Sequence, residues 1–75
     1  MKVKLKYRYK LSLKNIKSGR IVRYDNIISW RRDDEYTKSY VLNFNDHRRY
    51  YQLNEWLIVY AELRKIYEID EILGK

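Results

Sequence analysis

The chain has no cysteine, no proline, only two glycines and a single histidine. Each shortage removes a class of chemistry. Without cysteine there is no disulfide and no thiolate metal site to supplement a small core, and a reducing compartment is the natural setting. Gly19 and Gly74 lie too far apart to build a phosphate-cradling loop. His47, next to Asp46, is the one candidate general base. Its setting of Asn45, Asp46 and His47 is turn chemistry, where a solvated side chain is the ordinary outcome. Long apolar runs are also missing. The longest, residues 56–61, falls far short of the roughly 20 residues a spanning helix needs. No apolar stretch follows the basic start, so no secretory pattern is read. The expected location is the cytoplasm, or a host's cytoplasm for a phage-encoded protein.

Acid is almost absent from the first part of the chain. Residues 1–32 hold eleven Lys or Arg and one acid, Asp25, whereas residues 33–75 hold six basic and nine acidic residues. The local charges are +10 and −3, within a net +7. Such asymmetry gives the field a direction and suits an anionic partner approaching one side.

Seventy-five residues, 45% of them hydrophobic, make one small domain. Residues 2–14 carry its plainest pattern. Val3, Leu5, Tyr7, Tyr9, Leu11 and Leu13 take the odd positions, and Lys2, Lys4, Lys6, Arg8, Lys10, Ser12 and Lys14 the even ones. Period-two alternation predicts a strand with one face on a core and the other in solvent. Asn15 to Gly19 reads as a turn, residues 20–25 as a returning strand, and Asp25-Asn26 as a break or bulge. Residues 27–32, 36–44 and 48–53 read as three further strands, separated by the acidic turn Asp33-Asp34-Glu35 and by residues 45–47. Asn54 as N-cap, Glu55 in the first turn and a stripe of Trp56, Val59, Tyr60, Leu63, Ile66, Tyr67 and Leu73 predict a helix over about 55–73, stopped by Gly74. The alternative over residues 56–60 is a sixth strand followed by a shorter helix. The expected fold is therefore α+β: a small twisted antiparallel sheet of about five strands over about 2–53, with an SH3-like or barrel-like form as one option, and one C-terminal helix packed across it.

Two constellations bear on function. Alternate strand residues lie about 6.6 Å apart, so Lys2, Lys4, Lys6, Arg8 and Lys10 make a cationic line about 26 Å long. A negative polymer lying along it would release counterions, whereas the plainer reading is a solubilising or aggregation-guarding face. Aromatic and basic residues also interleave: Arg23 with Tyr24, Trp30 with Arg31 and Arg32, Arg48 and Arg49 with Tyr50 and Tyr51. Such neighbours can stack on bases while cations hold phosphates. Trp30 fits either that role or the core, and one of Tyr50 and Tyr51 should point inward. The acidic turn could hold a hard cation, but adjacent carboxylates in one turn seldom converge, so no metal and no cofactor is expected.

The run Lys2, Val3, Lys4, Leu5, Lys6, Tyr7 and the order of elements resemble small archaeal chromatin proteins with an SH3-like sheet and a C-terminal helix. That resemblance implies a DNA-facing sheet bearing a tryptophan, with Trp30 as counterpart. The chain departs from it in its many tyrosines, few glycines and acidic second half. Its composition, rich in Lys, Ile, Tyr and Asn and poor in catalytic groups, also resembles phage or mobile-element proteins, among them anti-CRISPR inhibitors.

The expected function is sequence-independent nucleic-acid binding without enzymatic activity. Lys2, Lys4, Lys6, Arg8, Lys10, Arg20, Arg23, Arg31 and Arg32 are the candidate phosphate contacts, and Trp30 the stacking residue. The alternative is a protein–protein module or inhibitor docking on an acidic or nucleic-acid-binding protein. Homodimerisation through the C-terminal helix is a further expectation, from the width of its apolar stripe.

Overall fold

A computed structural model describes residues 2–70, with side chains described for residues 5–66. Over that span the protein is all sheet. Six strands run β1 (Lys2–Asn15), β2 (Ile21–Ile27), β3 (Ser29–Asp33), β4 (Ser39–Asn43), β5 (Arg48–Gln52) and β6 (Trp56–Asp70). They form two three-stranded antiparallel sheets, ordered β2-β1-β6 and β3-β4-β5. Two expectations are corrected. The single five-stranded sheet is two sheets, and no helix occurs among the described residues. The alternative of a strand over residues 56–60 is what forms, but the strand continues to Asp70, across residues where the shorter helix is expected. Gly74, the expected helix stop, lies outside the described residues.

The reason the last segment is a strand lies in β1. That strand is 14 residues long, yet β2 pairs with it only between Tyr9 and Lys14. Residues 2–8 would otherwise hold a row of unanswered backbone groups, which must be paired or solvated. β6 answers them in register, from Lys2 opposite Asp70 to Asn15 opposite Trp56. β-branched and aromatic residues such as Ile58, Val59, Tyr60 and Ile66 suit that conformation.

The chain passes from one sheet to the other at Ile28, whose amide donates to the Asn43 carbonyl at 2.8 Å. Leu11 and Leu13 of β1, Ile27 of β2 and Leu42 of β4 form a fully buried cluster joining the two sheets. Tyr24, Trp30, Phe44, Tyr51 and Trp56 pack around it, with Tyr24 edge-on to Phe44 and Tyr51 edge-on to Trp56. Burying each such aliphatic side chain stabilises the fold by roughly 1.5–3 kcal/mol. Of the pair expected to place one tyrosine inward, Tyr51 packs in the body and Tyr50 is exposed. The hydroxyls of Tyr51 and Tyr24 are hydrogen-bonded to one another. Burial, then this bond, pushes the Tyr51 phenol up to about 12.

Two bulges shape the first sheet. Between Tyr9 and Leu11 the opposing strand advances from Ile27 to Tyr24, leaving one residue too many at Asp25-Asn26, where a break or bulge is read from the sequence. Between Ser12 and Leu13 the partner steps from Tyr60 to Ile58, so Val59 is the extra residue. The turn after β1 is organised by Asn15, whose Oδ1 accepts from the amides of Lys17 and Ser18, and by Gly19 at φ 76°.

Past the end of β2, β1 and β6 continue as a two-stranded arm among the described residues. Residues 2–8 give it a length of about 23 Å. The arm explains the elongated shape, with extents of 51 × 25 × 17 Å and a radius of gyration of 15.6 Å. A compact chain of this length has a radius of gyration of about 11 Å.

Candidate nucleic-acid interface

Because Leu11 and Leu13 face the core, the even residues of β1 lie on the opposite face of the first sheet, where Ser12 is itself buried between its neighbours and the cations lie towards either end. Lys6, Arg8 and Lys10 are half-buried and Lys14 is exposed. Cross-strand register extends this face to both neighbours, since directly opposed residues share a side. β2 contributes Arg23, opposite Ser12, and β6 contributes Arg64, opposite Arg8. The outer face thus gathers Lys6, Arg8, Lys10, Lys14, Arg23 and Arg64. Glu62, opposite Lys10, is its carboxylate among the residues with described side chains, and it also accepts from the Tyr60 hydroxyl at 2.8 Å. That bond raises the Tyr60 phenol above its ordinary value. Lys2 and Lys4 continue the row by register, opposite Asp70 and Glu68; their side chains lie outside the described ones.

Arg64 is the member sequence reasoning missed, because its segment reads equally well as a helix. The directly opposed pair Arg8 and Arg64 is the most informative feature of the face. Two like charges set across from one another on neighbouring strands destabilise the sheet unless an anion answers them. The Arg8 guanidinium donates to the Tyr7 carbonyl at 2.8 Å, which leaves its charge uncompensated by that bond.

The other expected contacts are not on this face. Arg20 is exposed on the turn leading into β2. Arg31 and Arg32 lie on β3 in the second sheet, and adjacent strand residues point to opposite sides. Arg31 sits 3.6 Å from Asp33, and Arg32 donates to Asp34 at 2.9 Å, a bond that raises its pKa. Trp30, opposite Leu42, is half-buried and packs against the core cluster, in the inward of its two expected positions.

The acidic turn has a structural task. Asp33 is 6% exposed, and its carboxylate accepts from the amides of Glu35, Tyr36 and Thr37 and from the Thr37 hydroxyl at 2.9–3.2 Å. Those bonds, led by the Tyr36 amide, hold its pKa well below the ordinary carboxylate range. No cluster of three metal-ligating side chains occurs among the described residues. His47 lies parallel on Phe44 at 4.5 Å, and its Nδ1 is 2.6 Å from Asp46, whose pKa this contact lowers. A shallow depression lined by Asp34, Lys38, Gln52, Leu53 and Asn54 belongs to the second sheet's loops, away from the cationic row.

The odd face of the arm is different in kind. Leu5 and Tyr7 are each 46% exposed and Leu63 is 51% exposed. The inward face expected along all of β1 therefore reaches a core only at its far end. No helix among the described residues is long and apolar enough to cross a membrane. Comparison with known protein families, curated proteins and solved structures finds no match to the chain.

Proposed function

We propose that the protein is a non-enzymatic module that binds nucleic acid without strong sequence preference, laying the outer face of its β1–β6 sheet along phosphates. The observation that carries this reading is the Arg8–Arg64 register pair, within a face of six cations drawn from three strands. A face selected only for solubility would mix signs across such a pair. Phosphates would supply the anion that the pair lacks, and lysine and arginine contacts to them carry no base information. A two-stranded ribbon is also narrow enough to enter the major groove of duplex DNA. Fluorescence anisotropy with a labelled random duplex tests the proposal: binding should weaken steeply with salt, and a salt-independent affinity would refute it.

The rival reading is a small inhibitor or assembly module that docks on a protein. The uncovered apolar row of Leu5, Tyr7 and Leu63 favours it. Capture of one stoichiometric protein that survives nuclease and high salt would establish this rival over nucleic-acid binding.

A further inference from the structure

We propose that two copies of the chain pair edge to edge through β6, antiparallel about a two-fold axis at Leu63, to form one continuous six-stranded sheet. β6 is a 15-residue edge strand with β1 on one side and no strand on the other among the described residues. It exposes Leu57, Val59, Tyr60 and Leu63. A long, apolar, unpaired edge is a template for another strand. A two-stranded ribbon by itself is at best marginally stable in water, so the arm gains from a third and fourth strand.

The charges on β6 choose the partner and the register. A two-fold axis perpendicular to the sheet keeps each residue on its own face, so opposed positions must share parity. The Val59 bulge confines regular pairing to residues 60 onward. Centred on Leu63, Glu62 falls opposite the partner's Arg64 and Arg64 opposite the partner's Glu62. Tyr60 then meets the partner's Ile66, and Ala61 the partner's Lys65. Moving the axis one residue sets Glu62 against the partner's Glu62, or Arg64 against the partner's Arg64. Only the Leu63 centre among these three satisfies both charges, and it does so twice. It also places a carboxylate beside Arg64, so that in the dimer Arg8 is the member of the Arg8–Arg64 pair that the partner leaves for an outside anion. A strand of identical sequence thus supplies the complement that this edge requires.

The inference does not depend on nucleic-acid binding, because it is tested on nuclease-treated protein. Sedimentation equilibrium at physiological salt, over micromolar to sub-millimolar concentration, should give twice the 9.4 kDa chain mass. Arg64→Glu should be monomeric with its sheet circular dichroism intact, since the introduced carboxylate would oppose Arg8 within the chain but the partner's Glu62 across the axis. The double exchange E62R/R64E should restore the dimer. A wild-type monomer throughout that range, or an Arg64→Glu dimer, overturns the proposal, as does a folded double exchange that stays monomeric. Should the double exchange not fold, Arg64→Glu alone decides.

Discussion

Replacing Arg8 and Arg23 together with glutamine should change how salt weakens nucleic-acid binding more than it changes the fold. Six cations share the outer face per chain: Lys6, Arg8, Lys10, Lys14, Arg23 and Arg64. If each neutralises one duplex phosphate, log K falls with log salt at a slope of about −5.4, because each contact contributes about −0.9. Between 50 and 200 mM salt that slope weakens binding about 2,000-fold. With four contacts left the slope is about −3.6 and the loss about 150-fold. The wild type and the double variant should therefore converge as salt rises. Stability should hold, since Arg8→Gln removes the like charge facing Arg64 and Arg23 is exposed. Anisotropy titrations at four or more salt concentrations, with circular dichroism melts alongside, measure both. An unchanged slope in a folded double variant would refute the assignment of these two side chains to phosphates.

Other consequences concern the fold. Leu42→Ala should lower the unfolding free energy by about 2–5 kcal/mol in urea titrations, because Leu42 is the second sheet's fully buried member of the shared core cluster. Lys38, at φ 52°, holds a left-handed conformation that a side chain resists, so Lys38→Gly should raise stability by about 0.5–1 kcal/mol. Asp33 has a depressed pKa, so its contribution is complete above the unfolded value of about 3.9 and is lost as pH falls below it. Asp33→Asn should therefore melt lower at neutral pH and lose its stability less steeply on acidification. Tyr51 has a raised pKa, so its contribution is present below about 10 and is lost as pH climbs towards about 12. Absorbance titration at alkaline pH should show a tyrosine step near 12, and Tyr51→Phe should remove that step.

Five strands and the turns between them are legible from alternation and from Asn, Asp and Gly placement. Residues 48–52 are the β5 strand that the sequence pattern leads one to expect, and Asp25-Asn26 is a bulge. The last segment misleads because two periods overlap in it. Trp56, Val59, Tyr60, Leu63, Ile66 and Tyr67 line a helical stripe. Yet Glu62, Arg64, Glu68 and Asp70 are all even, while Ala61, Leu63, Tyr67 and Ile69 are odd, which is a strand pattern broken only at Lys65 and Ile66. A single strand's local pattern could not arbitrate. The deciding fact is non-local: a 14-residue β1 outruns its hairpin partner and needs a second one. The same error hid the division into two sheets, since β6 takes the place beside β1 that a single meandering sheet would leave open.

The candidate site was legible in proportion to how local its geometry is. Lys6, Arg8 and Lys10 share a side because one strand alternates, and no knowledge of neighbours is needed. Arg31 and Arg32 count as basic in any tally of the first 32 residues, yet each faces an acid at or just beyond the end of β3. The +10 in that tally therefore overstates the free positive charge, and the directed field comes from the first sheet. Arg64 enters the face only through cross-strand register, which the helical reading forbids. Its entry changes the meaning of the row, because cations on a single strand can be explained as an edge guard. Here β1 has β2 and β6 on either side only from Tyr9 to Lys14, which takes Lys10 and Lys14 off the edge; along the arm β1 is paired with β6 alone, and what sets the row apart there is Arg64 across from Arg8. β6, an edge strand of the described sheet, carries Glu62 and Arg64 in alternation, the pattern on which pairing with an antiparallel copy is proposed. Cations on β1 and mixed charge on β6 would divide the two proposed tasks, the face meeting an anion and the edge a second copy of the chain.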